Sequence, residues 1–133
     1  MHELVMRIKE PAKCYVSAQN AINRGHENLA VEAYRRAVDL RAEEHEVENE
    51  AELMALKSFY AYEEALSYGE RRRKRATGTW QMVNKYGILP TLEKRLNAKG
   101  IDEVMSRLKD LKMEDYSFHS VANTFAQELK QAA

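Results

Sequence analysis

Apolar residues recur along this chain at the three- and four-residue spacing of amphipathic helices. Residues 1–11 carry no sustained pattern and read as an N-terminal tail closed by Pro11, with Met6 and Ile8 as its candidates for the core. From Ala12 to Arg24, Tyr15, Ala18, Ala21 and Ile22 share one face, and Gly25 suits the left-handed residue that ends a helix. From Glu27 to His45 the pattern repeats through Leu29, Ala30, Ala33, Tyr34, Ala37, Val38 and Leu40, so the first two helices are expected to form a short antiparallel hairpin. Asn49 is placed to cap a third helix running to about Ser67, with Glu52 completing a capping box. The apolar residues of that helix, Leu56, Phe59, Tyr60, Tyr62 and Ala65 among them, spread around more than one face, which marks a central helix.

Beyond Gly78 the elements shorten. A fourth helix over Trp80, Met82, Val83 and Tyr86, capped by Thr77 or Thr79, is ended by Gly87. A fifth has Pro90 in its first turn, carries Leu92 and Leu96, and stops at Gly100. A sixth holds the stripe Ile101, Val104, Met105, Leu108 and Leu111. The last, from about Glu114 to Leu129, offers Tyr116, Phe118, Val121 and Phe125 to close the core. The pattern thus predicts an all-α fold, a compact bundle of about six to seven helices with an N-terminal antiparallel hairpin, as one domain over residues 12–130.

Within the hairpin, Ala30, Tyr34 and Ala37, with Ala18 and Ala21 as small residues on the first helix, resemble a tetratricopeptide repeat over about residues 14–42. Cys14 stands where that repeat has a large aromatic, and Ala42 where it has a closing proline. No second copy follows, so the likeness implies the same packing solution for two helices rather than an array.

Composition narrows the class. At 133 residues the chain is long enough for a core without cross-links. Five glycines and two prolines leave little room for the many turns of an all-β design. Cys14 is the only cysteine and makes no internal disulfide. The N-terminus lacks a signal-like apolar core, and no run reaches the ~20 apolar residues of a membrane span, so a cytoplasmic protein without a membrane partner is expected. The net charge is zero, but it hides a separation. From His26 to Glu70 there are 12 acidic and 4 basic residues; from Arg71 to Lys112 there are 12 basic and 4 acidic. Opposite blocks of this size bear on partners.

The centre of the basic block is Arg71, Arg72, Arg73, Lys74 and Arg75, followed by Thr77, Gly78, Thr79 and Trp80. Five adjacent cations are not buried together, so Tyr68 to Gly78 is expected to be an exposed connection. Each cation is suited to neutralise a phosphate and release counterions. Thr77 and Thr79 add hydroxyls at a helix start, where anions are favoured. Lys85, Lys94, Arg95 and Lys99 continue the basic character. Trp80 has two readings, a base-stacking residue or a core anchor, and its neighbours Met82 and Val83 favour the core. The two short helices on either side of Gly87 resemble a helix-turn-helix, although the turn is not diagnostic. The same cations also suit an acidic protein surface, or a solvated loop that balances the acidic helices.

Enzymatic motifs are missing. The four histidines form no His-Glu-x-x-His or Glu-x-x-His pair, and there is no phosphate loop, dinucleotide loop or nucleophile elbow. Cys14 reads as a core thiol, and the glutamates from Glu43 to Glu52 as a solvated acidic face. An active site would have to be assembled from scattered groups such as Tyr60, Tyr62, His119 and the glutamates. No cofactor or metal is expected.

The segment Arg75 to Val83, followed by Tyr86-Gly87-Ile88, resembles a stretch found in uncharacterised bacterial helical proteins, which also resemble this chain in the hairpin and in Tyr60-Ala61-Tyr62-Glu63. The resemblance covers about residues 12–97. It implies a bacterial or phage origin and a non-enzymatic role, and supplies no functional residues. The sequence as a whole points to a small nucleic-acid-binding or nuclease-associated accessory protein, with DNA preferred to RNA. The alternative is a non-catalytic interaction or self-association module built on the hairpin.

Overall fold

The computed structural model describes residues 2–132, which are all-helical with no strand among them. The chain divides into two compact units, Met1–Glu46 and Val47–Ala133, where the sequence pattern suggests one domain over 12–130. No described helix is long and apolar enough to cross a membrane.

The first unit holds α1 (Glu3–Met6), α2 (Pro11–Asn23) and α3 (Glu27–Glu43). Pro11 occupies the first turn of α2, where its missing N–H costs nothing. At the far end Gly25 adopts φ +78°. His26 N–H donates to Ala21 O at 2.7 Å and Gly25 N–H to Ile22 O at 3.0 Å, the paired bonds of a Schellman turn. Cys14 packs with Ala37 and Leu40, while Ala18 and Ala21 pack with Ala30 and Ala33, so α2 and α3 run antiparallel as the spacing predicts. The small side chains at this seam let the helix axes approach closely. Arg41 donates from Nε to the Tyr15 hydroxyl at 3.0 Å and stacks on its ring.

The N-terminal segment departs from the tail expected over residues 1–11. His2 caps α1 by accepting from Leu4 N–H, and Val5, 1% exposed, joins the alanine core. Ile8 packs beside Cys14, whereas Met6 points to solvent. Four residues make a single turn, too short to leave a periodic signature.

The second unit is built on α4 (Glu50–Ser67). Asn49 Oδ1 accepts from Glu52 N–H at 2.9 Å, as a cap should. Glu52 reaches back to Glu48 N–H at 2.9 Å rather than to Asn49, a variant of the expected capping box. Twelve of the 18 residues of α4 are buried, so it has the wrapped environment of a central helix. Around it pack α6 (Ile88–Arg95), α7 (Ile101–Met105), α8 (Phe118–Thr124) and the 3₁₀ turns at Ser106–Lys109 and Glu114–Tyr116. Phe59 and Phe118 meet edge to face at 6.0 Å, both fully buried. Each such side chain contributes roughly 1.5–3 kcal/mol of burial. α5 (Thr77–Tyr86) lies against α6, and α9 (Ala126–Ala132) against α6 and α8.

The described residues hold nine α-helices and two 3₁₀ turns, more pieces than the six to seven expected. The excess is mostly C-terminal. The stripe Ile101, Met105, Leu108 and Leu111 is buried as expected, but after Met105 the helix tightens to 3₁₀ and stops at Lys112, φ +55°. The expected last helix is cut at Ser117, whose hydroxyl caps α8 by accepting from Ser120 N–H, and again at Phe125. Apolar periodicity survives such breaks because 3₁₀ and α turns place i and i+3 on nearly the same face.

Candidate nucleic-acid interface

The site begins with two consecutive glutamates inside an otherwise apolar stretch. Glu63 and Glu64 lie on α4 at 6% and 4% exposure. Buried carboxylates are costly unless donors surround them. The donors come from the basic segment and the start of α5. Gly69, at φ +74°, turns the chain off α4. Glu63 Oε2 then accepts from Ala76 N–H and from Trp80 Nε1–H, each at 2.8 Å, with Arg75 Nε at 4.0 Å. Glu64 pairs with Arg73. One turn on, Ser67 Oγ accepts from Lys74 N–H at 2.9 Å and donates to Lys74 O at 3.3 Å. Residues 70–76 are therefore a strap laced to α4, held by backbone as well as side-chain bonds.

All five cations of the run are exposed, as expected. Their roles divide. Arg73, Lys74 and Arg75 face carboxylates of their own chain, Lys74 through Glu70 at 3.1 Å. Arg71 and Arg72 have no ion pair among the described residues. The ledge of uncommitted charge is thus narrower than five adjacent cations suggest. Arg75 remains mostly in solvent, with its side chain 76% exposed.

The helix start differs from the expectation for Thr77 and Thr79. Neither hydroxyl caps α5; the cap position is Ala76, and its N–H goes to Glu63. Thr77 is exposed, but Thr79 is turned inward and buried, and its Oγ1 has no hydrogen-bond partner among the described residues. Trp80 takes the core reading: it packs on Phe59 at 5.8 Å and on Tyr60 at 4.8 Å.

Downstream, Lys85 and Lys94 are exposed, and their Nζ atoms lie 5.2 and 4.6 Å from the ring centroid of Tyr86. Gly87, at φ +94°, turns α5 into α6 and so lets Lys94 return to that ring. Arg95 is half-buried instead: its guanidinium lies 5.5 Å from the Tyr62 ring and Nη2 donates to the Tyr62 hydroxyl at 3.4 Å. Its Nε is buried without a hydrogen-bond partner among the described residues. Lys99 is exposed. Of the scattered groups weighed for catalysis, Tyr60 and Tyr62 are buried on α4, and His119 is exposed on α8, 3.6 Å from Asp102.

Sequence reasoning missed the anchors Glu63, Glu64 and Ser67. The available signal was a pair of carboxylates in the middle of an apolar helix, which demands donors, and the nearest cluster of cations follows it. In the sequence Tyr86 reads only as a helix residue. Its position between Lys85 and Gly87 is the one hint of exposure. No family model, curated protein or solved structure matches the chain, so its own chemistry carries the functional reading.

Proposed function

We propose that this chain is a small nucleic-acid-binding protein, non-catalytic and preferring DNA, that holds phosphates on the outer edge of the strap. The observation that carries the reading is the pair Arg71 and Arg72, exposed and without a carboxylate partner among the described residues, on a strap tied to α4 through Lys74 and Ala76. A segment ordered by its own chain loses less freedom when a ligand arrives. Arg73 and Arg75 orient the strap through Glu64 and Glu63, and their outward edges add to its positive field. Lys85 and Lys94 supply further exposed cations in the same unit.

Mobility shift or anisotropy on a DNA duplex, with wild type and Arg71→Ser/Arg72→Ser, tests the reading. Binding should weaken steeply between about 50 and 200 mM salt. The double variant should reduce the slope of log K against log salt by roughly 2, one unit for each phosphate no longer neutralised. An unchanged slope, or no binding of either this duplex or a single strand at low salt, overturns it. Self-association through the opposite charge blocks is the competing use of these cations. Its signature in light scattering is an oligomer that dissociates as salt rises, without nucleic acid.

A further inference from the structure

Tyr86 is an odd residue to leave in solvent. The residue is 44% exposed at the end of α5, and two lysines from different helices reach its ring. Lys85 and Lys94 have no ion pair among the described residues, so two like charges converge on one ring without a counter-ion. Such a cluster favours an anion that separates them. An aromatic face between ammonium groups is also the combination that receives a nucleobase and its adjoining phosphates.

We propose that Tyr86, with Lys85 and Lys94, is a stacking platform for an unpaired base, so that the ligand of the proposed function is a single strand. The inference rests on that reading and specifies its ligand. A duplex keeps its base faces inside the stack, whereas a single strand offers them to an exposed ring. The route from the strap to the platform suits a polyanion. On α5 the outward residues Thr77, Gly78, Gln81, Asn84 and Lys85 include no carboxylate, and neither does the rest of the helix. Glu93, exposed near the end of α6, is the only acidic residue in the two helices. α5, 10 residues long, runs from the end of the strap to Tyr86. That is about 15 Å of helix without a carboxylate. Ribose and deoxyribose strands share the base and phosphate chemistry this platform uses, and the two sugars are separated by experiment.

The test is fluorescence anisotropy with labelled oligo-thymidylate and oligo-uridylate of about 12 nucleotides, and a DNA duplex of equal length. The proteins are wild type, Tyr86→Ala, Tyr86→Trp and Arg71→Ser/Arg72→Ser, each checked by circular dichroism. Wild type should bind at least one single strand more tightly than the duplex. Tyr86→Ala should weaken that binding roughly 5- to 100-fold and leave the duplex unchanged, while Tyr86→Trp retains it. The arginine variant should weaken both forms. Equal affinity for strand and duplex, or a Tyr86→Ala variant that binds the strand as wild type does, overturns the platform and leaves the strap reading standing. Binding to neither polymer overturns both. A preference between thymidylate and uridylate assigns the sugar.

Discussion

At the scale of single residues, Glu63 concentrates the most consequence. One carboxylate oxygen accepts from a backbone N–H and from the only indole in the chain. Replacing it with alanine strands both donors, so Glu63→Ala should cost about 3 kcal/mol. Glu63→Gln, which keeps an acceptor at the same reach, should cost about 1 kcal/mol. Urea unfolding followed by Trp80 emission measures both, and equal losses for the two variants would contradict the assignment of Glu63 as acceptor. This pairing is hard to see in the sequence. Periodicity reports which residues lie inside, but a buried glutamate breaks the pattern without naming its partner. Thr79 fails for the same reason: hydroxyl chemistry suggests a surface role, while its position beside Trp80 on α5 turns it inward.

At the scale of elements, the turn at Gly87 decides how the lysines meet. Its φ of +94° and ψ of 173° fall in a region that is essentially reserved for glycine. Its carbonyl also accepts from the Thr91 hydroxyl at 2.7 Å, which fixes the first turn of α6. Gly87→Ala should therefore destabilise the protein by about 1–3 kcal/mol, read as a lower thermal midpoint. A midpoint equal to wild type would mean the turn is not held in this geometry. Gly87 and Gly25 are legible as helix ends because their physics is local: no side chain, no penalty at positive φ. The hub role of α4 is equally legible, since a helix apolar on more than one face has to be packed on more than one side by its own unit. The breaks at Ser117 and Phe125 are not, because the apolar stripe runs through them without a change of phase.

For the whole molecule, charge and structure follow different boundaries. The first unit carries eight acidic and seven basic residues and the second thirteen and fourteen, so each is nearly neutral. The opposite blocks read from the sequence meet instead inside the second unit, where α4 and the strap face each other. Long-range attraction between blocks was the legible part; its use within one unit required coordinates. The units also differ in what they bury. The first relies on alanines with Val5, Cys14, Val38 and Leu40, and the second on larger side chains, Phe59, Phe118, Leu92, Leu108 and Met113. A chain of residues 47–133 should thus unfold cooperatively alone and keep any nucleic-acid binding, whereas 1–46 alone should show weak helicity. Circular dichroism on the two fragments checks this, and a stable isolated hairpin would refute it.

The lacing of the strap also bears on how the chain can drift. Arg71 and Arg72 make no ion pair among the described residues, so the fold and the proposed phosphate contact ask only for a positive charge, and lysine serves at either position with little penalty. Arg73 answers to Glu64 with a guanidinium that lysine does not imitate, and a change at one position leaves the other stranded. Within a single run of cations, two neighbouring letters are held to a charge alone and the third to a shape, set by a helix laid down earlier in the chain.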